Sequence, residues 1–287
     1  MTVETQPAAF LGHGSPMNAI EHNRYTDAWR ALGASVYRPR AVLAVSAHWF
    51  IQSTVVTAMA RPRTIHDFYG FPDALFAVDY PAPGSPELAE EVADIAKPTW
   101  VGLDHDGWGL DHGTWSVLCH VFPDADIPVV QLSISTLAAF DHHVELGARL
   151  APLRQRGVLI VASGNVVHNL GRLDPRRPED GFDWAHRFDE AAGSALTGAP
   201  ASVAGLVDHP DYPAAVPTPE HFIPLLYLAG VAEASGEPVE TLARGYALGS
   251  LSMSAYAVGA AASAPSGGGP AGELPDPSEV PPEDTNA

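Results

Sequence analysis

Three apolar runs constrain this chain more than any other feature: "AAFLGHG" (8–14), "VLAVSAHW" (42–49) and "VLIVASGNVVHN" (158–169). Each reads as a short strand apolar at successive positions rather than alternate ones. A strand of that kind must be covered on both faces. Each also ends in small residues and then delivers a histidine, at His13, His48 and His168. In open sheets with helices on both sides, ligand chemistry gathers just beyond the strand ends. One such histidine is unremarkable, but three at the mouths of buried strands point to a shared site.

The remaining pattern alternates. Strands are expected at 41–49, 53–59, 127–134 and 157–165, with one or two closing strands within 240–258. Amphipathic spacing predicts helices at 85–96, 112–122, 138–153, 183–196 and 219–234. Ser85 is placed to cap the first of these, with Pro86 in its first turn. Alternating strands and helices predict an α/β fold, a single domain with a central, largely buried mixed sheet flanked by helices. The domain is expected over residues 1–262. The segment 263–287, "SAPSGGGPAGELPDPSEVPPEDTNA", is rich in Pro, Gly and acid and nearly free of large apolar side chains. Its composition predicts disorder.

A formal net charge of −19 repels phosphate backbones and anionic membrane surfaces, which argues against nucleic-acid and membrane partners. The apolar stretch "LSMSAYAVGAAASA" is too short to span a bilayer and reads as a final strand leading into a linker. A single cysteine, Cys119, excludes an intramolecular disulfide, and its run "WSVLCHVF" makes it a small core residue. The first residues, "MTVETQPAAF", lack the basic and apolar regions of a secretory leader, so the cytoplasm is the expected location.

His13 lies between Gly12 and Gly14, with Ser15-Pro16 barring an immediate helix. Three readings stand for it: a metal ligand, an anion-cradling loop with Ser15 as nucleophile, or a plain turn. "GHGSP" is not the G-x-S-x-G elbow of a serine hydrolase. No P-loop or G-x-G-x-x-G pattern appears. Histidine is the commonest metal ligand, and a catalytic metal takes about three protein ligands with positions left open. Without paired cysteines, an open nitrogen and oxygen site for iron, zinc or manganese fits better than a closed structural zinc site. "DHGTW" (111–115) and "TPEHFIPLLY" (218–227) add His112, Glu220 and His221. In the second motif Thr218 is expected to cap a helix and Pro219 to open it, leaving Glu220 and His221 in the first turn. Glu220 could equally complement the helix dipole. His66 and His105 sit among aromatics and could line a pocket. His22, His142, His143 and His186 read as structural or solvated, and His120 as packed within its helix.

These motifs, taken in order with "TIHDFYGFP", "YPAPGSPELA", "PVVQLSI" and "GSLSMSAY", resemble the class III extradiol ring-cleavage dioxygenases. The similarity is to the 4,5-DOPA dioxygenase branch, related to the catalytic subunit of protocatechuate 4,5-dioxygenase. It spans roughly residues 8 to 256, and its strength lies in the ordered set rather than in any one motif. The resemblance implies a single α/β domain holding non-haem Fe(II), in a site that zinc can also occupy. It places His13, His48, His168 and His221 in the metal site, with Glu220 as the alternative last ligand. It gives His168 the role of base toward a catechol hydroxyl and then of acid, and makes His112 a second catalytic pocket histidine. The implied reaction takes a catechol, DOPA-like or otherwise, and O2 to a ring-opened semialdehyde. Two other readings remain at this point: a zinc hydrolase using metal-bound water, and a metal-binding relative without oxygenase activity. Arg24, Arg61 and Arg244 are candidate partners for a charged substrate side chain. Regiochemistry and oligomeric state are left open.

Overall fold

A computed structural model of the chain describes residues 4–260 and 269–273. The strands are β1 (Ala8–Gly12), β2 (Ala41–Ile51), β3 (Val55–Thr57), β4 (Gly102–Asp104), β5 (Val129–Ser135), β6 (Val158–Gly164), β7 (Val239–Ala243), β8 (Tyr246–Ala247), β9 (Leu251–Ser252) and β10 (Ala255–Val258). The helices are α1 (Arg24–Ser35), α2 (Asp73–Phe76), α3 (Pro86–Ile95), α4 (His112–Val121), α5 (Phe140–Leu150), α6 (Asp183–Gly198), α7 (Tyr212–Ala215) and α8 (Ile223–Ser235).

Eight strands form one sheet in the order β4-β3-β5-β2-β6-β1-β10-β7, and β8 and β9 make a separate small hairpin. The sheet is mixed. β1, β2 and β5 run parallel to their neighbours β6 and β2, while β10 is antiparallel to β1 and β7. The fold is therefore the α/β domain expected, with a large central sheet between helices.

Successive strand residues explain the continuous apolar runs. Phe10, Leu43, Val45, Ile160 and Ala162 enter one core with α3, α5, α6 and α8 side chains such as Leu88, Val144, Phe188 and Leu225. Ala9, Leu11, Val42, Ala44, Leu159 and Val161 enter the opposite core with Tyr25 and Trp29 of α1 and Trp115 and Leu118 of α4. Because strand side chains alternate faces, a sheet covered twice needs apolar residues at every position.

Local signals hold at α3, where the Ser85 hydroxyl accepts the Leu88 N–H at 3.1 Å, and at α4, capped by Asp111. The chain departs from expectation before α8. Residues 217–222 form turns, the helix opens at Ile223, and the Thr218 hydroxyl donates to Glu220 Oε1 at 2.7 Å instead of capping. The expected tail, 263–287, lies outside the described residues except Gly269–Glu273, which pack against residues 15–23.

Cys119 is half-buried, and burial pushes its thiol up to about 12, so it is an inert packing residue. His143, read from the sequence as solvated or structural, is fully buried and hydrogen-bonded to the Tyr227 hydroxyl at 3.2 Å. His120 lies between the Arg30 guanidinium and the Asn18 carbonyl, at 2.9 and 2.7 Å. Burial lowers both histidines from 6.5 to about 4. Their folded values lie below the unfolded value, so the unfolded chain takes up the protons first. The stability they allow is complete above pH 6.5 and is lost as pH falls toward 4. Urea unfolding at about pH 7.5 and about pH 4.5 is expected to show a clearly lower midpoint at the acid end. An unchanged midpoint would mean that these rings are solvated in the folded protein.

Candidate metal centre

β2, β6 and β1 are adjacent parallel strands, so their carboxyl ends open side by side. His13 follows β1 directly. Its N–H donates to the Gly164 carbonyl at the end of β6, and Gly14 turns the chain with φ of +59°, which favours glycine. His48 lies in β2 where the register with β5 slips between Val45 and Phe50. Such irregularities re-aim side chains beside functional sites. His168 follows β6 and is tied by its N–H to the Ala215 carbonyl. His112 opens α4. Gly113 beside it is required, because a Cβ there would come within 2.4 Å of Ser46 Oγ and 2.8 Å of the His48 ring. His221 is held in the turn before α8, its carbonyl accepting the Asn165 N–H at 2.9 Å.

All five histidines meet in one cluster. The donor atoms of His13, His48 and His112 lie within 4.8 Å of one another, as do those of His168, Glu220 and His221. Ring geometry divides them further. The centres of His13, His48 and His221 form a nearly equilateral triangle with sides of 5.1, 5.0 and 5.3 Å. His13 Nε2 and His48 Nε2 are 3.3 Å apart. Three imidazoles bound to one ion at about 2.1 Å put their ring centres about 5.2 Å apart at the tetrahedral angle, and their donor atoms about 3.4 Å apart. The triangle fits. His221 Nε2 is also buried without a hydrogen-bond partner, which an ion would supply.

The outer nitrogens fit too. His13 Nδ1 is hydrogen-bonded to Ser163 Oγ at 2.9 Å. His48 Nδ1 lies 3.3 Å from Asp67 Oδ2, and His221 Nδ1 lies 3.2 Å from Glu220 Oε1. An oxygen partner on Nδ1 fixes the tautomer and leaves Nε2 free to ligate. Glu220 is thus positioned as the orienting partner of His221. His168 and His112 sit differently. His168 stacks on His221, with ring centres 3.5 Å apart and planes 4° from parallel. His112 lies 3.8 Å from His48, centre to centre. Rings that share an ion splay apart from it, and these two pairs are set closer together than the rings of the triangle.

Burial and neighbouring imidazoles hold His13 and His221 well below the usual histidine range. Burial and the nearby His112 lower His48 to about 3, and burial lowers His168 to about 4. All four are neutral at physiological pH, the state a ligand or a general base requires. Two carboxylates, Asp67 and Glu220, stand against these rings. Burial works against the Asp67 carboxylate, but His112 and His48 outweigh that and keep it ionised. It accepts the His112 backbone N–H at 2.9 Å, and His112 Nδ1 lies 3.0 Å from the same oxygen.

Sequence reasoning missed Asp67 and Ser163. Of the looser candidates, His66 is bound to the Val78 carbonyl at 2.9 Å and packs on Phe68 and Trp115. Phe68 in turn meets His112 edge-on, so this loop forms an aromatic wall beside the pocket. His105 is exposed. Arg24 is engaged with the Tyr25 hydroxyl at 2.7 Å, and Arg61 and Arg244 are exposed.

Residues 7–259 match the model of a family described as the catalytic LigB subunit of aromatic ring-opening dioxygenase. A 4,5-DOPA dioxygenase extradiol of Escherichia coli (strain K12) is 47% identical over 263 residues, 90% of this chain and 97% of the relative. A protein of the same name from Beta vulgaris is 39% identical over 232 residues, 78% of this chain and 85% of the relative. A crystal structure of an uncharacterized protein from Escherichia coli K12 superposes with a TM-score of 0.78 at 43% identity, covering 88% of this chain and all of that one.

Proposed function

The chain belongs to the family of the catalytic LigB subunit of aromatic ring-opening dioxygenase, and from that premise we propose that it opens a DOPA-like catechol at an Fe(II) ion held by His13, His48 and His221. That it is an extradiol dioxygenase, an oxidoreductase using a metal, a catechol and O2, follows from the family. The ligands, the metal and the substrate side chain are the proposal.

The observation that carries the ligand assignment is the triangle of rings, with two Nε2 atoms at 3.3 Å. Fe(II) supplies, when bound, the one-electron chemistry through which O2 and a catechol can react, whereas redox-inert zinc can sit among the same histidines without supplying it. His168, expected from the sequence both in the metal site and as the acid-base residue, is assigned to catalysis alone. Stacked on His221 and neutral, its imidazole takes the proton of a catechol hydroxyl and later returns it to an oxygen of the opening ring. His112, its ring held against Asp67, orients the substrate by hydrogen bonding. The aromatic wall at Phe68 keeps water from that side of the ring. The product is a ring-opened semialdehyde.

The catalytic domain is proposed to span residues 1–262. Among the described residues no helix is long and apolar enough to cross a membrane. A cytoplasmic location remains an inference from the single cysteine.

Metal-free protein loaded anaerobically with Fe(II), given catechol, DOPA or protocatechuate and then exposed to air, is expected to consume O2 and form a yellow product. Zinc-loaded protein is expected to do neither. No O2 uptake by fully iron-loaded protein across that panel would overturn the reading.

A further inference from the structure

The family match ends at residue 259, yet residues 269–273 pack on the loop that follows His13. We propose that Gly269–Glu273 is a docked strap that positions the metal ligand His13 through Asn18. The proposal rests on the assignment of His13 as a ligand.

Gly269 pairs with Asn23 in a parallel bridge. Ala271 is 7% exposed and joins the apolar cluster of Leu11, Trp29 and Met253. The Gly272 N–H donates to Asn18 Oδ1 at 2.7 Å, and the Ser15 hydroxyl donates to the Glu273 carbonyl. The fit needs glycine at 272, since a Cβ there would lie 2.7 Å from the Asn18 nitrogen and 3.0 Å from Met17. The segment therefore clasps the loop that leaves β1 at both ends of its turn, Ser15 and Asn18.

Asn18 is the hub. It is fully buried, and its carbonyl accepts from His120 Nε2 at 2.7 Å. Its Oδ1 receives two donors, Gly272 N–H and Asn23 Nδ2. A backbone N–H can only donate, so Gly272 helps fix which way the Asn18 amide faces. That orientation turns Nδ2 toward the His13 carbonyl, to which it donates at 2.8 Å. The strap thus bears on the backbone of the residue whose Nε2 stands 3.3 Å from that of His48. Groups that orient a ligand are worth about 10- to 100-fold in metal affinity. This one acts one bond further out and shares Oδ1 with Asn23, so its expected effect is about three- to tenfold.

The test measures Zn(II) release to excess chelator from the full chain, its Gly272→Val and Ala271→Asp variants, and His13→Ala. The first substitution fills the space against Asn18, and the second puts a charge at a buried apolar position. Both are expected to release Zn(II) about three- to tenfold faster than the unaltered chain, whether or not the urea midpoint of the metal-free protein falls as the segment's own contacts are lost. His13→Ala is expected to bind no Zn(II) firmly enough to time. Release rates within about twofold of the unaltered chain in both variants would overturn the strap while leaving the ligand assignment intact. So would a fallen urea midpoint with unchanged release, which marks a segment that only stabilises the fold. Firm Zn(II) binding by His13→Ala would instead overturn the ligand assignment, and the strap with it.

Discussion

His13→Ala, His48→Ala and His221→Ala are each expected to lose the metal, while Glu220→Ala is expected to keep it at reduced affinity. A structural zinc site is worth about 10–16 kcal/mol spread over four ligands. Removing one of three ligands therefore costs about 3 kcal/mol or more, at least about two decades of affinity. Glu220 touches the outer nitrogen of His221, at 3.2 Å, and a partner of that kind is worth about tenfold or somewhat more. Metal content after dialysis, followed by titration with Zn(II) or anaerobic Fe(II), gives the order directly. The assignment stands on that order. If Glu220→Ala empties the site and His221→Ala does not, the carboxylate is the third ligand and the triangle of rings is a coincidence of packing.

His168→Ala is expected to behave in the opposite way, retaining a full complement of metal and losing turnover. A positioned general acid or base contributes about 10²- to 10⁴-fold, so kcat for the catechol should fall within that range. Metal affinity should change little, because the ring stacks on His221 at 3.5 Å rather than diverging from a common ion. Equal metal loss in His168→Ala and His221→Ala would make His168 a ligand and remove it as the base. Reading metal content and kcat on the same preparations separates the two roles.

Much of the site was legible because strand ends are. The apolar runs at 8–12, 42–47 and 158–163 specify strands covered on both faces, and the histidines just beyond them must face the same end if the strands are parallel. That condition is met by β1, β6 and β2 lying side by side. The roles were less legible. Counting histidines could not distinguish His168 from His221, since ring stacking and ring divergence leave no trace in composition. Asp67 had no signal either. Its loop carries neither helical nor strand period, and the His112 N–H it accepts lies 45 residues away. Ser163 looked like one more small residue in a buried run, and only the β1–β6 pairing, Leu11 opposite Ser163, brings it to His13.

"TPEH" illustrates a local signal overridden. Thr218 and Pro219 carry the residue types of a helix start, but the turn is pinned by the Asn165 N–H on the His221 carbonyl and α8 begins later. The small residues Ala271 and Gly272 make the converse case. The composition around them predicts disorder, yet their small size lets the backbone approach Asn18.

By itself the sequence determined the α/β layering, the strands that end in histidine and, through the ordered motifs, the family. These depend on periodicity and on neighbours along the chain, which a sequence displays. The tertiary structure alone set the distances between the imidazoles, placed Asp67 beside His112 and the Glu220 carboxylate beside the His221 ring, and fixed where residues 269–273 dock. Those are matters of angle and distance between side chains far apart in the chain, set by packing of the whole fold to within a fraction of an ångström. The histidine between two glycines at residue 13 belongs to both accounts. Its glycines announce a bent loop at a strand end, but only Ser163, Asn18 and His48 around it define what that loop is bent to do.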